Sequence, residues 1–429
     1  MATRKDPRCV PRNIAIIACI VVAEPLASTS LIPFVYFMVK GFGYEEAQIG
    51  SRVGIITSAF FIAQMIASPL WCLVSDRFGR RIILICGLLG TSLSIILFGF
   101  SQSLAWAVAT RSLGGFLNGN LPIARTYIGE LAKQTGYDLS KVFSVFGFSL
   151  ALGWVVGPVI GGTFANPVSN LGFYGPGNIF VSFPWLLPCL FSGIFSLCAC
   201  VVTYCFLNET LERSLSEDPG NPGLTDPLLA QTYDDSATER VYNAIGRSGS
   251  QNNMADTQDS IAGVESGNLV KSRISQVAFL ISTAFYFTHL ILFDELFSLF
   301  AASSLRHGTG LSFRPRQIAK ALSVAGPSMC TALLIFPWLK TKISFLSLYR
   351  LTAIIFVFIY PLFSLLPELG NITDGSQGEP GTSLWTCLLI LMVVRYAVLA
   401  IGLTSLQVVV GFPCGGVANL RLLTKLLAS

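Results

Sequence analysis

Four charged residues interrupt stretches of the chain that are otherwise apolar, and their side chains could carry chemistry inside a membrane. Glu24 lies in an apolar run near the N-terminus, Arg111 enters another, and Asp294 and Glu295 lie in a third. A charged side chain at bilayer depth is costly unless it pairs with another group or faces a cavity. The three carboxylates are therefore predicted to bind protons or cations in such a cavity. For Asp294 and Glu295, a solvated position near the outer membrane interface is the alternative.

Composition indicates what holds these residues in place. Hydrophobic residues make up 52% of the 429 residues and charged residues 12%, about half the charged share of a typical soluble domain. The formal net charge of +5 comes from scattered residues, without the basic run that nucleic-acid binding would require. The eleven cysteines form no CxxC pair, so neither a metal site nor a cofactor is predicted. The chain is thus predicted to be an all-α polytopic protein whose main partner is the lipid bilayer.

Ten stretches are long enough for a membrane span, which requires about 20 apolar residues. The predicted spans are 14–37, 51–71, 82–100, 104–124, 142–165, 180–206, 275–300, 318–338, 346–366 and 385–410. The predicted domains are a cytoplasmic N-terminus (1–13), an N-terminal six-helix bundle (14–207), a cytoplasmic disordered central loop (208–273) and an incomplete C-terminal bundle (274–429). Four basic residues before the first span predict that the N-terminus is cytoplasmic.

The fifth predicted span is rich in glycine. Within SVFGFSLALGWVVGPVIGG, residues 144–162, glycines leave flat patches where a second helix can approach at backbone distance. Pro158 removes one backbone hydrogen bond and favours a kink. An ordinary packing face of small residues is the alternative interpretation.

The spacing within this span resembles the fifth-helix antiporter motif of the major facilitator superfamily. The matching positions are Ser144, Gly153, Gly157, Pro158, Gly161 and Gly162. Serine at the first position is similar to the zinc-induced facilitator-like branch, whereas the wider drug:proton antiporters have glycine there. The resemblance implies proton-coupled exchange.

A second resemblance lies between the second and third spans. The order of residues there is similar to the signature loop of the same superfamily, which acts as a charge latch between helices. The matching residues are Trp71, Asp76, Arg77, Gly79, Arg80 and Arg81. Cys72 departs from the glycine of the zinc-induced facilitator-like form.

The fourth span resembles the family's fourth-helix motif, whose arginine is linked to proton coupling. The resemblance assigns this role to Arg111, and the alternative is a side chain that snorkels to the membrane interface. The first and seventh helices are equivalent in a two-repeat transporter and both line its cavity. Glu24 and Asp294 therefore occupy related positions.

Together these features predict a secondary transporter, not an enzyme, that exchanges protons for a small molecule by alternating access. A drug-like compound, an organic ion and a metal chelate remain open as substrates. We expect a monomer in the vacuolar or plasma membrane. Asn371 is a possible glycosylation site, because it opens an Asn-Ile-Thr sequon in a loop predicted to be external or lumenal.

The resemblance covers about residues 12–400, and the chain ends soon after the tenth predicted span, whereas the superfamily has twelve. The sequence therefore predicts a C-terminally truncated member. A non-transporting, receptor-like or inactive membrane protein is the alternative function.

Overall fold

The structure is a computed structural model that describes residues 9–137, 139–172, 179–210, 281–303, 310–368 and 381–411. These described residues form helices joined by turns, with no β-strand among them. The helices in chain order are α1 (Cys9–Thr29), α2 (Val35–Gly41), α3 (Glu46–Phe78), α4 (Arg80–Gly99), α5 (Leu104–Leu117), α6 (Asn120–Thr135), α7 (Leu139–Phe164), α8 (Pro167–Leu171), α9 (Ile179–Ser182), α10 (Leu186–Phe206), α11 (Ile281–Ala302), α12 (Pro315–Ser323), α13 (Ala325–Lys342), α14 (Phe345–Ser364) and α15 (Thr382–Gly411).

Within the described ranges, nine helical segments are long and apolar enough to cross a membrane. They coincide with nine of the ten predicted spans, and the all-α polytopic fold class is confirmed. Two predicted spans differ in detail. The first, 14–37, ends at Thr29, and the chain turns before it enters α2. The fourth, 104–124, is not one continuous helix, because it divides into α5 and α6.

The break between α5 and α6 is stabilised by side-chain hydrogen bonds. Asn118 has extended backbone angles (φ −98°, ψ 106°) and so ends the first helix. Its side-chain oxygen accepts a hydrogen bond of 3.3 Å from the backbone N–H of Asn120. The indole N–H of Trp71 donates to the carbonyl of Phe116 at 2.8 Å. Polar groups that a continuous helix would satisfy internally thus find partners at the break.

One compact unit contains the described residues up to 210 together with 292–303, 310–341, 351–368 and 381–401. An apolar core lies where α1, α4, α6, α7 and α10 meet, and includes Ile20, Leu84, Tyr127 and Phe146. The second unit contains 281–291, 342–350 and 402–411 of the described residues. In the second unit, the hydroxyl groups of Ser282 and Tyr349 lie 2.6 Å apart.

Candidate functional site

A cavity in the first unit brings two opposite charges together. We call it the charged cavity; its lining residues are Glu24, Ala27, Ser28, Phe60, Thr91, Ser94, Ile95, Phe98, Thr110, Arg111, Gly114 and Asn118. These residues come from α1, α3, α4 and α5 and from the break that follows α5. Glu24 is 7% exposed and Arg111 is 8% exposed, so both charges are enclosed by protein.

Hydroxyl groups on the cavity wall present acceptors. Thr91 donates its proton to the carbonyl of Gly87 at 2.9 Å. Ser94 donates to the carbonyl of Thr91 at 3.2 Å, and Thr110 donates to backbone carbonyls of its own helix. Because each hydroxyl proton is bonded to the backbone, the oxygen lone pairs remain to accept from a donor in the cavity.

Glu24 is held by neutral groups. Its Oε1 accepts a hydrogen bond of 2.9 Å from Nε2 of Gln64 on α3. The Asn118 side chain and the backbone N–H of Leu121 lie beside the same carboxyl group. The break between α5 and α6 therefore brings a side-chain amide and the first turn of α6 against Glu24.

Arg111 has an aromatic neighbour and no hydrogen-bond partner among the described residues. Its Cζ atom lies 4.2 Å from the centroid of the Phe60 ring, in cation–π geometry. Its Nε is fully buried without an acceptor. Arg111 also interacts electrostatically with Glu295. The guanidinium is thus enclosed by protein, which differs from the snorkelling alternative, and it carries donors that an acceptor in the cavity could satisfy.

Asp294 and Glu295 are adjacent in sequence but have different partners. Asp294 is 3% exposed, and its Oδ1 lies 3.0 Å from Nη2 of Arg395. Glu295 is half-buried, and its Oε2 accepts a hydrogen bond of 3.4 Å from the hydroxyl of Thr57. The burial of Asp294 differs from the solvated interface position that the sequence left open.

Arg395 is a site residue that the sequence reasoning missed. It lies in the middle of α15 and is completely buried. A signal was available, because Arg395 is the one charged residue in the predicted span 385–410. Its ion-pair partner Asp294 lies 101 positions earlier, so the sequence around Arg395 does not reveal the pair.

The glycines of α7 allow close contact with α1. A Cβ atom added at Gly153 would lie 2.8 Å from the carbonyl oxygen of Val22, and one at Gly157 would lie 2.0 Å from the Thr29 hydroxyl oxygen. At Gly161 the added atom would lie 1.9 Å from the carbonyl oxygen of Ser30. Each distance is too short for a side chain, so the two backbones meet at glycine spacing.

The remaining motif positions on α7 have other surroundings. A Cβ atom at Gly162 would lie 2.3 Å from Cβ of Ala319 on α12, so this glycine faces a different helix. Pro158 lies inside α7, which continues past it to Phe164. Ser144 lies in the first half of α7, and its side chain is outside the described part of the structure.

The signature loop is joined to the end of α10 through Glu209. Gly79 has a positive φ of 104°, where glycine is favoured, and the chain turns there from α3 into α4. Oε1 of Glu209 accepts from the backbone N–H of Arg80 at 2.9 Å, and Oε2 accepts from that of Arg81 at 3.0 Å. One carboxylate therefore caps the first turn of α4.

Arg80 connects this loop to α6. Its guanidinium donates to Oε1 of Glu130 at 2.9 Å and forms an ion pair with Asp76. The Thr210 hydroxyl donates to the other oxygen of Glu130 at 2.7 Å.

Arg77 is exposed and lies over the Phe78 ring. Trp71 lies at the α5–α6 break described above, and Arg81 donates to the carbonyl of Tyr204. Asn371 lies outside the described residues.

Comparison with known proteins identifies the family. The family model described as Major Facilitator Superfamily matches residues 17–418. The chain belongs to the Major Facilitator Superfamily. Members of this superfamily are transporters and not enzymes, so the chain is an integral membrane protein of a secondary-transporter family.

Relatives in fungi and plants align with most of the chain. It is 30% identical over 406 residues to the "Major facilitator superfamily multidrug transporter mfsB" of Aspergillus fumigatus, covering 83% of this chain and 66% of that protein. It is 27% identical over 386 residues to "Protein ZINC INDUCED FACILITATOR-LIKE 1" of Arabidopsis thaliana, covering 87% and 74%. The chain thus spans just under two thirds of the fungal relative's length.

Solved transporters share the fold. A D-xylose-proton symporter aligns with a TM-score of 0.57 at 14% identity, covering 92% of this chain and 81% of that one. A bacterial homolog of the human lysosomal transporter Spinster, inward-facing and unoccupied, aligns with a TM-score of 0.56 at 16% identity, covering 93% and 75%. At these identities the likeness concerns the fold alone.

Proposed function

We propose that this protein is a proton-coupled antiporter that exchanges protons for a small molecule by alternating access. The observation that carries the proposal is the charged cavity, where a buried carboxylate and a buried guanidinium line one space. Glu24 takes up the proton. Arg111 supplies a positive charge, and its attraction to the surrounding carboxylates weakens when they are protonated. Asp294 and Glu295 on α11 belong to the same coupling group. The substrate is a drug-like compound, an organic ion or a metal chelate.

The contact between α7 and α1 supports a link from protonation to movement. Glu24 lies on α1, one turn before the segment against which Gly157 and Gly161 pack. A helix contact with backbone-to-backbone spacing has little side-chain interlocking and can slide or tilt. Pro158 lies between these two glycines inside α7, and a proline within a helix favours a bend.

The ion pairs of the signature loop are assigned the role of a latch. Asp76, Arg80 and Glu130 connect α3, α4 and α6 at one end of the bundle. In an alternating-access cycle, these ion pairs separate in one state and re-form in the other.

The protein acts as a monomer in the vacuolar or plasma membrane, and its N-terminus lies in the cytoplasm. Its domains have the boundaries predicted from the sequence.

The test is proton movement in proteoliposomes that contain the full chain and a pH-sensitive dye inside. Ethidium, chloramphenicol and a zinc–histidine complex are added in turn as probes of an organic ion, a drug-like compound and a metal chelate. With an acidic interior, at least one probe should release protons from the vesicles and accumulate inside. Liposomes without protein are the control. No gradient-dependent flux of any probe would contradict the proposal and favour a receptor-like protein.

A further inference from the structure

The buried pair of Asp294 and Arg395 is surrounded by polar and aromatic side chains. Nη2 of Arg395 lies 3.0 Å from Oδ1 of Asp294, and the hydroxyl of Tyr396 donates to the same oxygen at 3.2 Å. The guanidinium carbon lies 3.7 Å from the centroid of the Phe293 ring. Tyr360 of α14 interacts electrostatically with the guanidinium. One negative and one positive charge are thus enclosed together by residues of α11, α14 and α15 that belong to one compact unit.

The other two carboxylates have hydrogen-bond partners of a different kind, and Glu295 in addition interacts electrostatically with Arg111. Glu24 accepts from the amide of Gln64, and Glu295 accepts from the hydroxyl of Thr57. An amide group and a hydroxyl group can each donate or accept a hydrogen bond. Either partner can therefore satisfy its carboxyl group in both the ionised and the protonated state.

Arg395 lacks this ability, because a guanidinium only donates hydrogen bonds and stays charged in proteins. It is 0% exposed, so water does not solvate it. A proton on Asp294 would cancel the negative charge beside a buried cation. A buried pair is strongly destabilised when one partner loses its charge.

We propose that Arg395 is the fixed counter-ion of Asp294, so that Asp294 stays charged through the cycle and Glu24 and Glu295 carry the exchanged proton. This inference rests on the proposed antiport and refines it. Arg395 is then a positioning residue that keeps Asp294 ionised, and Asp294 does not carry the exchanged proton.

Infrared difference spectroscopy on the purified full chain in lipid nanodiscs tests this assignment without a substrate. The signal is the C=O stretch of protonated carboxyl groups that appears between mildly alkaline and mildly acidic buffer. Glu24→Gln and Glu295→Gln should each remove part of the wild-type band. The double variant Asp294→Asn/Arg395→Met should keep the whole band, because it removes a neutral pair.

The single variant Arg395→Met should gain a new C=O band from Asp294, either in the difference spectrum or in the absolute spectra at both pH values, since a buried carboxylate without its partner is neutralised by a proton. Adding Asp294→Asn should abolish that new band, and Arg395→Lys should keep the wild-type spectrum. Loss of wild-type intensity in the double variant, or no new band in Arg395→Met, would overturn the inference. If Arg395→Met does not fold, the charge-neutral double variant decides alone. Failure of the antiport proposal is recognised separately, by wild-type vesicles that move no probe.

Discussion

Replacing Gly161 by alanine should push α7 away from the end of α1. The added Cβ atom would lie 1.9 Å from the carbonyl oxygen of Ser30, whereas ordinary contact begins at 3.4 Å. The backbones must therefore separate by about 1.5 Å at this point, because the obstructing atom belongs to the main chain and cannot rotate away. Overpacking of this kind costs about 1–3 kcal/mol of stability.

Gly147→Ala on the same helix is the matched control. A Cβ atom at Gly147 would meet nothing within 4 Å. Both variants gain the same helix propensity, about 0.5–1 kcal/mol in a helix interior. The difference between them therefore isolates the cost of separating α7 from α1.

The assay is the free energy of unfolding of each purified variant in mixed micelles, together with gradient-driven flux in vesicles. Gly161→Ala should be less stable than Gly147→Ala by about 1–3 kcal/mol and should transport more slowly. Equal stability and equal flux of the two variants would refute the argument that α7 and α1 depend on glycine spacing.

Three further substitutions test other parts of the structure. Glu24→Gln should abolish pH-gradient-driven flux and leave the protein folded, as judged by size-exclusion elution; unchanged flux would remove Glu24 from the coupling role. Glu209→Ala should lower stability in thermal unfolding by about 0.5–2 kcal/mol, because it removes the cap of α4. Glu45→Ala is its control, since Glu45 precedes α3 without a side-chain cap, and equal losses would contradict the capping role. Trp71→Phe should lower stability by about 0.5–1.5 kcal/mol, because the Phe116 carbonyl loses its donor; an unchanged midpoint would mean that the break does not depend on this bond.

The spans were predictable because a bilayer imposes a length and a polarity on every helix that crosses it. The predicted span 104–124 missed the break between α5 and α6, although the polar residues Asn118 and Asn120 lower the hydropathy there. Its cause is partly remote, because the indole N–H of Trp71 comes from another helix, 45 positions before Phe116. A window of local sequence does not contain that donor.

The candidate site was predictable as single charges and not as pairs. Glu24, Arg111 and Asp294 could be recognised because a lone charge in an apolar stretch is costly. Their partners, Gln64 and Arg395, are set by the packing of helices far apart in the chain. The glycine pattern of α7 likewise predicted close approach of a helix. It did not predict that Gly162 would face α12 while Gly161 faces the end of α1.

The most direct measurement of the central claim is proton release from acid-loaded vesicles that contain the full chain, followed as each probe is added outside. We expect at least one probe to release protons from wild-type vesicles, and the same probe to release none from vesicles with Glu24→Gln. Proton release that persists in Glu24→Gln, or flux of the probe that ignores the pH gradient, would contradict it.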